Sequence, residues 1–353
     1  MTSDADIVFD VQGPLACVLL NRPKALNALT HEMAVALDNK LKVWESDPRI
    51  AALVIRGQGS RAFCAGGDIR KLYDEGRAGS RYPFDFYHDE YRCNARIHRF
   101  PKPYVSFLDG IVMGGGVGVS VHGSHRIATE NTVFAMPETG IGLFPDVGGS
   151  YFLSRLPGAL GMFLGLTGTR LKAADAICAG VAQFHVPSSA LDALQVDLAK
   201  SEPGHREAVS LVIRRHATDP GAPSIAQHRA TIDRAFGQPS VEAILEALDA
   251  EEDAFAAGLA AQIRTKSPTS LKITHRQIRE GAKRNFDECM RMEWRMVNRV
   301  IRGHDFYEGT RAVVVDKDQK PAWRPPTLDG VHAADVDAYF APLGKDELRY
   351  DWD

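Results

Sequence analysis

The 353-residue sequence lacks any apolar run of about 18 residues, the length a membrane-spanning helix needs. It also lacks C-x-x-C spacing: its five cysteines, Cys17, Cys64, Cys93, Cys178 and Cys289, are scattered and odd in number. That argues against a disulfide scaffold or a thiolate zinc site, and for reduced thiols in a reducing compartment. There is no basic excess. A formal charge of −3, from 42 Lys+Arg against 45 Asp+Glu, offers no electrostatic footprint for nucleic acid. The first residues, Met1-Thr2-Ser3-Asp4-Ala5-Asp6, are acidic and carry neither an apolar h-region nor an Arg-rich amphipathic pattern. The expectation is therefore no signal or transit peptide, no membrane, and a cytoplasmic location. No sequence repeat and no low-complexity tract stands out.

What is present is an ordinary globular composition, 44% apolar and 25% charged, with enough chain to bury a sizeable core in one large domain or two. Ile7–Val11 and Leu15–Leu20 read as strands joined around Gly13-Pro14. Thr30 reads as the N-cap of a helix whose apolar residues Met33, Val35, Ala36, Leu37, Leu41 and Trp44 have helical rather than alternating spacing, ended by Asp47-Pro48. Ala51–Arg56, Tyr104–Leu108, Arg126–Ala128 and Val133–Ala135 read as further strands. From about 151 to 303 the reading is mostly helical, including Val241, Ile244, Leu245 and Leu248 as one stripe and a start at Ser267-Pro268. The tail beyond 321 is expected to wrap the surface.

Two glycine-centred segments carry the chemistry: Phe63-Cys64-Ala65-Gly66-Gly67-Asp68 and Asp109-Gly110-Ile111-Val112-Met113-Gly114-Gly115-Gly116-Val117-Gly118. Each offers a bare backbone N–H that a ligand oxygen can approach without a Cβ in the way. Two such donors are what a thioester carbonyl needs as negative charge develops on its oxygen. Downstream, Met136-Pro137-Glu138-Thr139-Gly140-Ile141-Gly142-Leu143-Phe144-Pro145-Asp146 sets two carboxylates on a Gly/Pro-rich loop. Donors plus carboxylates point to acyl-CoA chemistry. Each feature has a plainer alternative: the glycines could serve tight turns, Glu138 and Asp146 could brace their own loop, and Asp68 could simply hold its turn.

With these residues in this order the chain resembles the crotonase (enoyl-CoA hydratase/isomerase) superfamily, and within it the 3-hydroxyisobutyryl-CoA hydrolases. The likeness also rests on Asn21-Arg22-Pro23-Lys24-Ala25-Leu26-Asn27-Ala28-Leu29, Phe306-Tyr307-Glu308-Gly309, Asp316-Lys317-Asp318 and Pro321-Ala322-Trp323, and covers roughly residues 5–330. It implies an α/β fold: a crotonase-like spiral of ββα turns with the CoA site over residues 1–200, and a mostly helical C-terminal region and tail packed on that core over 201–353. It implies an oxyanion hole made by the N–H groups of Gly67 and Gly115, with a helix dipole adding positive potential at Gly115.

The resemblance further implies that Glu138 and Asp146 are the catalytic pair, and that Glu90, Gly115, Glu138 and Asp146 touch substrate. Gly118 stands where the hydratases carry their first glutamate, and a lone carboxylate does not easily run both proton transfers of a hydration. The implied activity is hydrolysis of a small 3-hydroxyacyl-CoA, with 3-hydroxyisobutyryl-CoA of valine catabolism as the expected substrate. A short-chain enoyl-CoA hydratase or isomerase is the alternative. Whether Glu138 acts as nucleophile or as general base is left open. Glu90 sits in a short motif, so a solvated helix face is equally open. Lys24, Arg61 and Arg70 are the implied CoA phosphate contacts, with Lys317 and Lys320 as C-terminal additions; the Ala65 and Ile69 backbones are the implied adenine contacts. Surface cations are often only solubilising. No cofactor beyond the CoA of the substrate is expected; a homo-oligomer is left open.

Other motif readings fail at a named residue. A G-x-G-x-x-G frame meets Val121 when started at Gly116 and Val119 when started at Gly114. Gly118-Val119-Ser120-Val121-His122 lacks the last glycine of G-x-S-x-G. His31-Glu32-Met33-Ala34-Val35 ends H-E-x-x-H in valine, so no metal is expected.

Overall fold

The computed structural model describes residues 5–201 and 204–353; the first four residues of the segment read for a leader lie outside them. Contacts divide the chain into two units that interleave along it, whereas the sequence suggested one cut near residue 200. The first comprises Met1–Gly67, Arg92–Ala135 and Arg170–Ala226; the second comprises Asp68–Tyr91, Met136–Thr169 and Gln227–Asp353.

Among the described residues the first unit holds nine strands: β1 (Ile7–Gln12), β2 (Leu15–Leu20), β3 (Ala52–Gly57), β4 (Ala62–Cys64), β5 (Tyr104–Leu108), β6 (Ile111–Met113), β7 (His125–Ala128), β8 (Val133–Ala135) and β9 (Phe184–His185). They form a six-stranded sheet in the order β1-β2-β3-β5-β7-β9 and a three-stranded sheet in the order β4-β6-β8. The β1–β2 pair is antiparallel and the other neighbours are parallel. Consecutive strands β3/β4, β5/β6 and β7/β8 go to different sheets, which is the expected spiral of ββα turns. One face of the larger sheet, with Leu15, Val54, Val105, Phe107 and Ile127, packs on the apolar stripes of the helices Leu191–Lys200 and Arg206–His216. Each such side chain stabilises by about 1.5–3 kcal/mol, and removing the Phe107 ring would cost about 3–5 kcal/mol.

The expected strands and the Thr30 cap are present; Thr30 Oγ1 accepts from Met33 N at 3.3 Å. The reading missed β4, β6 and β9 because two or three residues are too few to show alternation. Their pairing comes from the parallel ladder of the spiral.

The second unit is helical. Ser267 caps the helix Pro268–Gly281 by accepting from Ser270 N at 3.1 Å, with Pro268 at its first turn as expected. Asn285 and Glu288 form a reciprocal capping box on the helix Phe286–Val300. The tail does more than wrap a surface. Val331 and Leu348 are buried, Trp294 Nε1 donates to Asp346 O at 2.8 Å, and Arg295 pairs with Glu347 at 2.8 Å. Its charged composition hid these apolar anchors.

Candidate functional site

In the first unit the two glycine segments lie side by side. A Cβ added to Gly116 would sit 2.2 Å from the Cys64 carbonyl oxygen, so the backbones approach too closely for any other residue. Gly66 has φ of 115°, a conformation that demands glycine, and its carbonyl accepts from Leu29 N at 2.8 Å. Gly115 opens the helix Gly115–Gly118, where a first-turn N–H has no intrahelical acceptor. That helix is a single turn of four residues, so the expected macrodipole shrinks to the local N–H groups themselves. Gly118 is its buried last residue. Asp68 caps the helix Ile69–Arg77 through Lys71 N at 3.2 Å, which is the structural role foreseen for it.

In the second unit the acids are buried. Glu90, Glu138 and Asp146 are 2%, 4% and 3% exposed, so the reading of Glu90 as a solvated helix face is overturned. Glu138 begins the 3-10 turn Glu138–Ile141, and Asp146 follows on the loop that ends in Gly148. Tyr91, one turn from Tyr87 on the helix Tyr82–Arg99, donates its hydroxyl to Asp146 Oδ2 at 2.8 Å. Glu90 Oε1, Glu138 Oε2 and the Tyr87 hydroxyl are buried without a hydrogen-bond partner. Burial, and then the charge on Asp146, hold the Glu138 and Glu90 carboxyls well above the usual range. Burial pushes Asp146 up to about 7 while the Tyr91 hydroxyl opposes the rise. Carboxyls crowded in low dielectric cannot all ionise together. With Asp146 near 7, the cluster can take up and release a proton around neutral pH, the condition for acid and base work by carboxyls.

The Asp146 loop is clamped. Val147 adopts φ of 51°, rare for a β-branched residue and worth about 1–3 kcal/mol of strain. Glu293, buried on the helix Phe286–Val300, accepts from Gly148 N at 2.7 Å, Ser150 N at 2.9 Å and the Ser150 hydroxyl. Gln277 Nε2 donates to Pro145 O at 2.6 Å. Burial raises the Glu293 carboxyl to about 8, against the pull of the Ser150 and Gly148 hydrogen bonds.

The implied CoA contacts are mixed. Lys24, on the turn Pro23–Ala25, and Arg61 are exposed in the first unit. Arg70 is exposed in the second and pairs with Asp74 at 2.7 Å, a solvent-screened pair that a phosphate could displace. Ala65 N donates to Leu26 O at 3.0 Å, which leaves only the Ala65 carbonyl for an adenine. Ile69 opens the helix Ile69–Arg77, and Lys317 and Lys320 are exposed. No group of three or more His, Cys, Asp or Glu able to hold a metal occurs among the described residues.

Tyr87, Tyr91 and Glu293 were missed by sequence reasoning. A signal existed for each. Tyr87, Glu90 and Tyr91 fall at i, i+3 and i+4 on one helical face, and Glu293 interrupts the buried stripe of Phe286, Met290 and Val297.

The sequence profile of the enoyl-CoA hydratase/isomerase family matches residues 15–340. The mitochondrial 3-hydroxyisobutyryl-CoA hydrolase of Xenopus tropicalis is 45% identical over 98% of this chain and 91% of its own length. The human mitochondrial enzyme of the same name is 43% identical over 98% and 91%. A solved carnitinyl-CoA dehydratase from Mycobacterium thermoresistibile is 41% identical with a TM-score of 0.93, covering 99% of this chain and 100% of its own. An enoyl-CoA hydratase from Rhodobacter sphaeroides is 38% identical with a TM-score of 0.89, covering 98% and 100%. The cytoplasmic location expected from the first residues is corrected by the relatives, which are mitochondrial by name. Reduced cysteines speak for a reducing compartment, and the cytosol is not the only one. With the paired sheets, the adjoining glycine segments and a profile match over most of its length, the chain belongs to the enoyl-CoA hydratase/isomerase family.

Proposed function

We propose that the protein hydrolyses 3-hydroxyisobutyryl-CoA to free CoA and 3-hydroxyisobutyrate, as a mitochondrial step of valine breakdown. The observation that carries this reading is the buried pair Glu138 and Asp146, with glycine at 118 where a hydratase would place its first acid. The names of the hydrolase relatives support it. The Gly67 and Gly115 N–H groups take the thioester oxygen as it becomes an oxyanion; losing one such donor typically costs about 3–4 kcal/mol of transition-state stabilisation. Glu138 attacks the carbonyl carbon itself or removes a proton from the water that does. The C–S bond then breaks, and the departing thiolate takes a proton from a protonated acid of the cluster. In the first route the product of that attack is a mixed anhydride on Glu138, which one water then cleaves to the hydroxy acid and the regenerated Glu138 carboxyl. Asp146 binds the attacking water or the substrate hydroxyl. Lys24, Arg61 and Arg70 serve the CoA phosphates, and the Ala65 carbonyl and Ile69 backbone serve the adenine.

A short-chain hydratase is the second reading, favoured by the names of the two solved relatives. Thiol release, followed with a colour reagent, separates them. 3-Hydroxyisobutyryl-CoA should release thiol fastest, 3-hydroxypropionyl-CoA more slowly, and crotonyl-CoA not at all. Hydration of crotonyl-CoA without thiol release from any substrate sinks the hydrolase reading.

A further inference from the structure

We propose that the Tyr87 hydroxyl is a substrate-contacting, specificity-determining donor, and that its acceptor is the 3-hydroxyl of the acyl chain. Tyr87 is 2% exposed, and its hydroxyl has no hydrogen-bond partner. The ring is well held: it packs edge-on against Phe86 at 5.3 Å and Tyr91 at 5.9 Å between centroids. Packing alone would be served as well by phenylalanine, because a buried hydroxyl without a partner is a cost that native proteins seldom carry without a use. The hydroxyl lies among acids. Glu90 is three residues on along the same helical face, Tyr91 reaches Asp146, and Asp146, Glu90 and Glu138 each raise the Tyr87 phenol further after burial has done so.

The chemistry of the ligand follows. An alcohol can donate one hydrogen bond and accept others, whereas an ionised carboxylate only accepts. An ionised carboxylate satisfies only the donor side of a substrate hydroxyl and leaves its lone pairs bare, and the protonated acid of the cluster is committed to the departing thiolate. Tyr87 supplies the missing O–H. The 3-hydroxyl accepts from Tyr87 and donates to a neighbouring carboxylate, so a chain without the hydroxyl leaves both groups unpaired.

This inference rests on the 3-hydroxyacyl substrate proposed above, and the test separates the two. Thiol release is measured for the wild type and Tyr87→Phe with 3-hydroxyisobutyryl-CoA and isobutyryl-CoA. The variant should lose about tenfold or more in kcat/KM for the hydroxylated substrate and stay within about twofold for the other. Its Tm should equal or exceed that of the wild type. An unchanged ratio between substrates, or an equal loss on both, overturns the assignment. Calorimetric binding of the same two thioesters in a Glu138→Gln background reads the contact without turnover. There, Tyr87→Phe should erase a preference for the hydroxylated ligand, and the same preference in both proteins overturns the inference. A wild type that releases no thiol overturns the hydrolase reading alone, since the binding ratio still decides Tyr87.

Discussion

The Tyr91 hydroxyl donates to Asp146 Oδ2 across 2.8 Å, joining residues 55 apart in the chain. A hydrogen bond to a carboxylate favours its ionised form, so Tyr91 works against the burial that raises Asp146 to about 7. Without the phenol the carboxyl would hold its proton to higher pH.

Tyr91→Phe should therefore move the acid limb of the kcat/KM profile to higher pH. A profile measured between pH 5 and 9 with thiol release as the readout tests this. A limb that stays in place means the titrating group is not Asp146.

Glu138→Gln should lower kcat by about 10²–10⁴-fold and leave CoA affinity near that of the wild type. Because Glu138 Oε2 has no partner in the fold, the variant should also keep its Tm. Activity equal to the wild type removes Glu138 from the chemistry; a collapse in Tm makes it a structural acid instead.

Glu293→Ala leaves Gly148 N, Ser150 N and the Ser150 hydroxyl without their acceptor. Each buried donor so stranded costs about 1–3 kcal/mol. The expected result is a clear fall in Tm together with lower activity, since the strained Val147 turn then relaxes and takes Asp146 with it. Thermal unfolding and thiol release on the same preparation check both. Unchanged Tm would show that the loop holds itself.

Stability should decline with rising pH through the neutral range. Asp146, from 3.8 to about 7, and Glu293, from 4.5 to about 8, have folded values raised above the unfolded ones. The native state then binds more protons than the unfolded state. Their contribution is complete below about pH 4 and is lost as pH rises through 7 and 8. Buried His125, lowered to about 4, works in the opposite sense but only below about pH 6.5. From pH 6.5 to 8.5 the loss should be roughly 2–3 kcal/mol, visible as a lower Tm. A Tm that rises over this window contradicts it.

The legible part of this protein was what leaves a local trace. Leu15–Leu20, Tyr104–Leu108 and the caps at Thr30 and Ser267 announce themselves through apolar runs and hydroxyl placement. Gly67, Gly115 and Glu138 stand in motifs whose glycines serve close backbone approach. β4 and β6 were not legible, because three-residue strands are created by their neighbours. Tyr91 and Glu293 were hidden for a related reason. A tyrosine or glutamate within a helix reads as ordinary, and its meaning lies in Asp146 and Gly148, far away in sequence. Asp146 itself was legible as a residue, but its raised carboxyl was not, since burial is a property of the whole fold.

The bond from Gly148 N to Glu293 spans 145 residues, which sets a timetable for biosynthesis. A nascent chain can finish the local turns of the spiral early, since domains assemble from the N-terminal side as they leave the ribosome. The Asp146 turn cannot be clamped until the chain has been made past Glu293, and closing so long a loop is slow on entropic grounds. A translation product cut short before that point would carry the glycine motifs and Glu138 yet leave Val147 free to abandon its left-handed conformation. Such a fragment should be inactive toward thioesters however well its sheets have formed.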